Sequence, residues 1–232
     1  MDNTQLPSID IQPKGFLPLL KREWLQALIL IVPYVVIPFV WNSLPDYIPT
    51  HWNMRGHVNG YMGKFWGTML LPLMNIGLAL LLIYLPKIDP KKQIGSGMRV
   101  IRILRLTITS FLFILFVLTI EISLGEETDM SLISNLALPV LILIIGNYLP
   151  TVRPNYFIGV RVPWTLEDPE NWRMTHKFTG KLYVISSVIT IPCMLLLPTE
   201  FKHYLFLTYI GIVVVPPILY SYLFYRKSVE QL

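Results

Sequence analysis

Two stretches of this 232-residue chain hold most of the side chains capable of chemistry. The first, Pro45 to Lys64, reads PDYIPTHWNMRGHVNGYMGK and offers Asp46, His51 and His57 as its only plausible metal-ligand set. Their spacing matches no established zinc motif and no HExxH occurs in the chain, so the favoured role of both histidines is hydrogen bonding within a small structured cap, with no metal. Arg55-Gly56 and Asn59-Gly60 offer tight turns that tolerate positive φ. Trp52, Tyr61 and Trp66 join apolar rings to polar tips and, with the apolar ring of Phe65 beside them, suit a headgroup boundary.

The second stretch, Gly146 to Lys181, reads GNYLPTVRPNYFIGVRVPWTLEDPENWRMTHKFTGK. Asp168, Pro169 and Glu170 form a helix start: a capping carboxylate, a proline where no N–H is needed, and an acid near the positive helix end. A short helix is expected from about Pro169 to Thr179. On it Trp172, Thr175, His176 and Thr179 share one face, while Arg173, Lys177 and Lys181 recur at intervals of four. The first face suits packing and the second suits anionic lipid phosphates. His176 beside Trp172 reads as a packed, hydrogen-bonded imidazole or as a general base; no serine or cysteine nucleophile accompanies it in the loop. Arg161 could hold a carboxylate or phosphate in its planar fork, or pair with Glu167 or a helix C-terminal carbonyl.

The elements that position these stretches are apolar. The chain is 53% hydrophobic and 14% charged, and a bilayer core needs roughly 20 apolar residues per helical crossing. Six runs qualify: Trp24 to Leu44, Phe65 to Leu85, Leu106 to Leu124, Met130 to Leu149, Leu182 to Leu197 and Tyr204 to Phe224. They predict an all-α integral membrane protein, a six-helix bundle with a structured outer loop and an inner loop carrying a short amphipathic helix. They leave no room for a large soluble domain. The first run is too long for a signal-peptide core and no small-residue cleavage pattern follows it, so it reads as a retained helix. Of the 19 Lys and Arg, only Arg55, Lys64 and Lys202 fall in the first, third and fifth gaps. The positive-inside rule then puts both termini and the second and fourth loops in the cytoplasm. The net charge of +5 accordingly reports topology rather than nucleic-acid binding. Glu126, Glu127 and Asp129 in the third loop agree with this orientation.

Within the spans Gln26, Asn75, Thr107, Thr109, Asn135 and Asn147 suit interhelical hydrogen bonding, and Glu121 either reaches the outer interface or has a buried partner. Seven intraspan prolines (Pro33, Pro38, Pro72, Pro139, Pro192, Pro216 and Pro217) predict kinks. Cys193, alone, is a packing residue and allows no internal disulfide. Transport of a small solute remains an alternative, because the two rich loops occupy corresponding places in two three-helix halves of opposite sense. An intramembrane metal-dependent enzyme is a weaker alternative, because catalysis needs convergent ionisable groups and the spans supply few.

The inner residues Gly146-Asn147, Pro154-Asn155, Gly159-Val160-Arg161, Pro163-Trp164-Thr165-Leu166, Trp172, Thr175-His176 and Gly180 resemble the signature of the SdpI family of bacterial membrane immunity proteins. The outer residues Pro49, His51-Trp52-Asn53, Gly56, Gly60-Tyr61 and Lys64 are similar to an N-terminal membrane module of unknown function that often precedes it. The resemblance implies two modules, residues 1–125 and 126–232, in a bacterial cytoplasmic membrane. Val162 stands where the family often has threonine, and Val58-Asn59 where the outer module often has Pro-Asp. What the resemblance implies is protection against a secreted membrane-active peptide toxin without catalysis or cofactor, and in the best-known member sequestration of a cytoplasmic repressor. On that footing His51, Trp52, Asn53, Gly56, Gly60, Tyr61 and Lys64 are expected to sense the toxin, and the inner motif to change exposure in response.

Overall fold

A computed structural model describes residues 16–53, 57–88, 98–126 and 130–230. Gly56 and Arg55, together with Glu127 and Asp129, lie outside the described residues. The long helices are α1 (Phe16–Val40), α2 (Lys64–Ile88), α3 (Met98–Ser123) and α4 (Met130–Tyr148); a five-residue α5 (Pro163–Glu167) then precedes α6 (Pro169–Leu196) and α7 (Thr199–Val229). The expected kinking prolines all lie inside helices. Large apolar side chains face outward along the rods, Phe39 and Leu196 each 84% exposed. Such a surface is at home in hydrocarbon and not in water. The protein is therefore a multi-pass, predominantly helical membrane protein.

Among the described residues, five helices are long and apolar enough to cross a membrane: those at Glu23–Ser43, Lys64–Ile88, Val100–Ser123, Pro169–Leu196 and Glu200–Val229. The expected fourth span corresponds to the 19-residue α4; the apolar helical stretch there, Asn135–Thr151, is shorter than the other five and ends in a 3-10 turn just past α4.

The structured outer loop is an antiparallel hairpin, β1 (Tyr47–Trp52) on β2 (Val58–Gly63), in the register Tyr47↔Gly63, Pro49↔Tyr61 and His51↔Gly60. Two local expectations are corrected. Asn59-Gly60 is accordingly no turn; it lies inside β2, where the irregular register beside His51 absorbs the glycine. Nor does a separate helix end near Thr179. α6 runs unbroken for 28 residues, about 42 Å at 1.5 Å per residue, longer than a hydrocarbon core of about 30 Å. Gly180 does not break it, because a neighbouring helix packs there.

α1, α2 and α3 pack on one another, with the hairpin seated on α2 and α3; α4, α6 and α7 form a second group, joined to the first mainly along α3 and α4. Fully buried Ile48 of β1 enters a cluster with Ile37, Leu44, Phe116 and Ile120. It rests on Gly67, where an added Cβ would come within 2.5 Å of the Ile48 Cβ. Lys64 closes the base of the hairpin: its Nζ donates to the Leu44 carbonyl at 2.7 Å and lies 5.1 Å from the centre of the Trp41 ring.

Candidate functional site

At the hairpin end, backbone pairing fixes what the side chains can do. His51 Nδ1 lies 2.5 Å from Asn59 Oδ1; an amide oxygen only accepts, so the imidazole donates. Asn53 Oδ1 accepts the His57 amide at 3.1 Å, and its own amide donates to the His57 carbonyl at 2.9 Å, closing the strand ends. Gly60 faces His51, whose Cβ would lie 2.9 Å from an added Cβ, and Tyr61 is exposed. Beneath the hairpin is a mainly apolar cavity of about 280 Å³, with Thr50, His51 and Trp52 as its roof and Leu70 of α2 and Phe111, Leu115 and Thr119 of α3 among its walls. Of the expected outer residues, His51 and Trp52 line this cavity, while Asn53, Gly60 and Lys64 hold the hairpin that covers it. Among the described residues no three His, Cys, Asp or Glu side chains are grouped to hold a metal.

The opposite end is a knot of satisfied polar groups. Asn155, 1% exposed, organises the loop after α4. Its Oδ1 accepts the amides of Phe157 and Ile158 at 2.8 and 2.7 Å, and its Nδ2 donates to the carbonyls of Arg153 and Ile158 at 2.8 and 3.2 Å. The turn presents Phe157 and Ile158 to Leu82, Leu85 and Ile101, at the ends of α2 and α3 remote from the hairpin. Gly159 follows at φ +121°, a backbone conformation suited to glycine. An added Cβ there would sit 2.1 Å from His176 Nε2.

His176 is buried and both its ring nitrogens are engaged. Nε2 accepts the Val160 amide at 3.1 Å, so it carries no proton, and Nδ1 donates to the Trp172 carbonyl at 2.7 Å. The imidazole stacks on Trp172 with ring centres 4.0 Å apart, and Trp172 Nε1 donates to the Val152 carbonyl at 2.8 Å. This is the packed imidazole, not a group with a nitrogen free for base catalysis. Arg161 Nη1 donates to the Tyr156 carbonyl at 2.5 Å, which makes it a loop brace rather than the partner of Glu167.

α5 starts with Pro163 at its first position. Thr165 Oγ1 accepts the Val162 amide at 3.1 Å and donates to the Val160 carbonyl at 2.8 Å, so the helix start is tied down without a capping side chain at Val162. The Leu166 amide donates to the Val162 carbonyl at 3.1 Å. Asp168 caps α6 by accepting the Glu170 amide at 2.8 Å, as its type and place predict. Trp172, Thr175, His176 and Thr179 form the buried face and Arg173, Lys177 and Lys181 the exposed one. Gly146 and Gly180 let α4 and α6 cross closely: a Cβ on Gly180 would lie 2.8 Å from the Gly146 carbonyl and 2.6 Å from Pro150 Cγ.

Two features escape sequence reasoning, the role of Ser221 and the internal pairing of Arg105 with Glu23, whereas the interhelical bonds of Gln26, Asn75 and Thr109 are as expected. Ser221 of α7 accepts from Trp164 Nε1 at 2.9 Å through its hydroxyl and from Asn171 Nδ2 at 3.0 Å through its carbonyl. Trp164 also meets Tyr222 edge to face and stacks on Tyr225. The only signal for Ser221 is a small hydroxyl residue between two tyrosines in an apolar run. In the first helix group, Arg105 pairs with Glu23, and its Nε also donates to Gln26 Oε1 at 3.3 Å. Gln26 Nε2 donates to Thr109 Oγ1 at 3.1 Å, and Asn75 Nδ2 to the Thr109 carbonyl at 3.0 Å. Arg105 counts as a loop cation by position, yet it is 8% exposed. Glu121, by contrast, is exposed at the hairpin end of α3.

Residues 151–221 match the SdpI/YfhL protein family, and residues 28–76 match a domain of unknown function, DUF1648. The first interval holds the knot from Thr151 to Ser221; the second runs from α1 through the hairpin to Ile76 of α2. Along 90% of this chain and 98% of the other, the sequence is 26% identical to Immunity protein SdpI of Bacillus subtilis (strain 168). No solved structure matches.

Proposed function

We propose, from the premise that this chain belongs to the SdpI/YfhL protein family, that it is a membrane immunity protein protecting its bacterial host against a secreted, membrane-active peptide toxin. The observation that carries this reading is the near full-length similarity to a protein named for immunity, together with the identity of the residues that build the knot. In this reading six crossings place both termini and the knot in the cytoplasm and the hairpin outside, following the distribution of Lys and Arg. Residues 1–125 and 126–232 act as two modules.

Toxin contact falls to the hairpin. The cavity under His51 and Trp52 offers an apolar recess with a polar lip, suited to an apolar side chain of an amphipathic peptide. A physical route leads inward from it, since α2 and α3 wall the cavity at one end and receive Phe157 and Ile158 at the other. A toxin that binds two arrangements of these helices unequally would alter the exposure of the knot, the step that sequestration of a repressor would require.

The test is survival of a toxin-sensitive bacterium expressing the chain. The intact chain should protect, and Trp52→Ala, which opens the cavity roof, should weaken protection. Full protection by Trp52→Ala alongside its loss in Arg161→Ala would refute toxin contact at the hairpin. The part-buried Glu23–Arg105 pair and its neighbours favour a second reading, ion-coupled transport, because charges inside a bundle commonly mark pathways. Solute flux in proteoliposomes would support transport, and toxin-dependent survival without flux would support immunity.

A further inference from the structure

We infer that the groove between α3 and α4 is a specific site for one anionic phospholipid, its acyl chain in the groove and its phosphate at the Asn147–Lys181 end. The groove has two contiguous parts that share Thr107 and Ile144. One, about 480 Å³, is walled by apolar residues such as Ile114 and Val140. The other, about 440 Å³, lies toward the knot and is lined by Asn147 and Tyr148 as well as Val184 of α6. Ile133 and Asn147 bound its length on α4, fourteen residues or about 21 Å at 1.5 Å per residue. One leaflet of the hydrocarbon core is about 15 Å deep, so a single chain can lie along the groove.

Asn147 distinguishes this place from ordinary lipid-facing surface. Among the described residues, every other polar side chain of the inner motif is spent on an intramolecular hydrogen bond: Asn155, Arg161, Trp164, Thr165, Trp172, Thr175 and His176. Asn147 makes none; it is exposed and faces the groove. Lys181 is also exposed, one turn before the groove-lining Val184 on the same face of α6 and so on its knot side, within a lysine's reach of that end of the groove. Arg173 of the same cationic stripe is occupied by Glu170, whereas Lys181 has no acidic partner among the described residues.

The arrangement selects its occupant by chemistry. A long apolar trough with hydrogen-bonding groups and a cation at one end complements a molecule with one anionic end and an apolar tail. An amphipathic peptide would need polar partners along its length, and the walls around Ile114 and Val140 offer few. The site does not depend on what the hairpin recognises.

The test is native mass spectrometry of the full chain in mild detergent, titrated with phosphatidylglycerol or phosphatidylcholine. One phosphatidylglycerol should survive activation that strips the remaining lipid. Ala137→Phe, which fills the trough, should lower its retention, and Lys181→Ala should lower it about tenfold, as expected for loss of a charge-assisted contact, without changing phosphatidylcholine. Lys227→Ala should behave as the intact chain, and soluble glycerol phosphate should not compete. Equal retention of the two lipids, unchanged phosphatidylglycerol retention in Lys181→Ala, or displacement by glycerol phosphate would overturn the inference. Lys181 is exposed, so its variant decides the matter even if Ala137→Phe fails to fold.

Discussion

Gly159→Ala is the sharpest perturbation of the knot. The residue sits at φ +121°, where a side chain adds roughly 1–3 kcal/mol of backbone strain. Its new Cβ would lie 2.1 Å from His176 Nε2, so the imidazole must retreat and the Val160 amide loses its acceptor. A buried amide left unpaired costs about 1–3 kcal/mol. Together these make about 2–6 kcal/mol, a large part of the stability of a typical domain. The purified variant should unfold at a markedly lower temperature in detergent, and cells expressing it should lose protection. His176→Ala removes the obstacle as well as the acceptor, so adding Gly159→Ala to it should cost only the backbone part. The pair should therefore be less than additive by about 1–3 kcal/mol. Additive costs, or a Gly159→Ala protein as stable as the parent, would refute the proposed contact between loop and imidazole.

Other substitutions probe separate parts. Asn155→Ala should destabilise by about 1–3 kcal/mol for each loop amide left without an acceptor, with faster hydrogen exchange at Phe157 and Ile158; Asn155→Asp keeps the acceptor and should cost less. Trp164→Phe and Ser221→Ala remove the same hydrogen bond, so each should cost about 1 kcal/mol and the double variant little more than the larger single one, measured by thermal unfolding. Glu23→Gln or Arg105→Met alone should destabilise by about 3 kcal/mol, the low end for a buried pair because Glu23 is partly open. Replacing both by apolar residues should restore most of that loss.

Much of this organisation was legible in the sequence because strong local rules govern it. The apolar runs located the long helices, the Asp168-Pro169-Glu170 start was read correctly, and three-and-four spacing separated the buried face of α6 from its cationic one. What escaped depends on contacts distant in sequence. The α6 helix outruns its apolar segment because Gly180 is held against Pro150 and Gly146, a restraint that propensity does not contain. The hairpin has Pro49 in one strand and two glycines in the other, so neither strand shows the usual alternation; packing of Ile48 on Gly67 is what seats it. Ser221 acquires its role only when Trp164 arrives from 57 positions away, and Arg105 is internal only because Glu23 and Gln26 meet it across the bundle.

The claim on which the account most depends is that hairpin and knot face opposite compartments. It is tested directly by placing single cysteines at Asn59 and at Glu167 in a Cys193→Ala background and treating intact cells with a membrane-impermeant thiol reagent. The account predicts labelling at position 59 in intact cells and at position 167 only after permeabilisation. Labelling of both from the outside, or of position 167 alone, would contradict it.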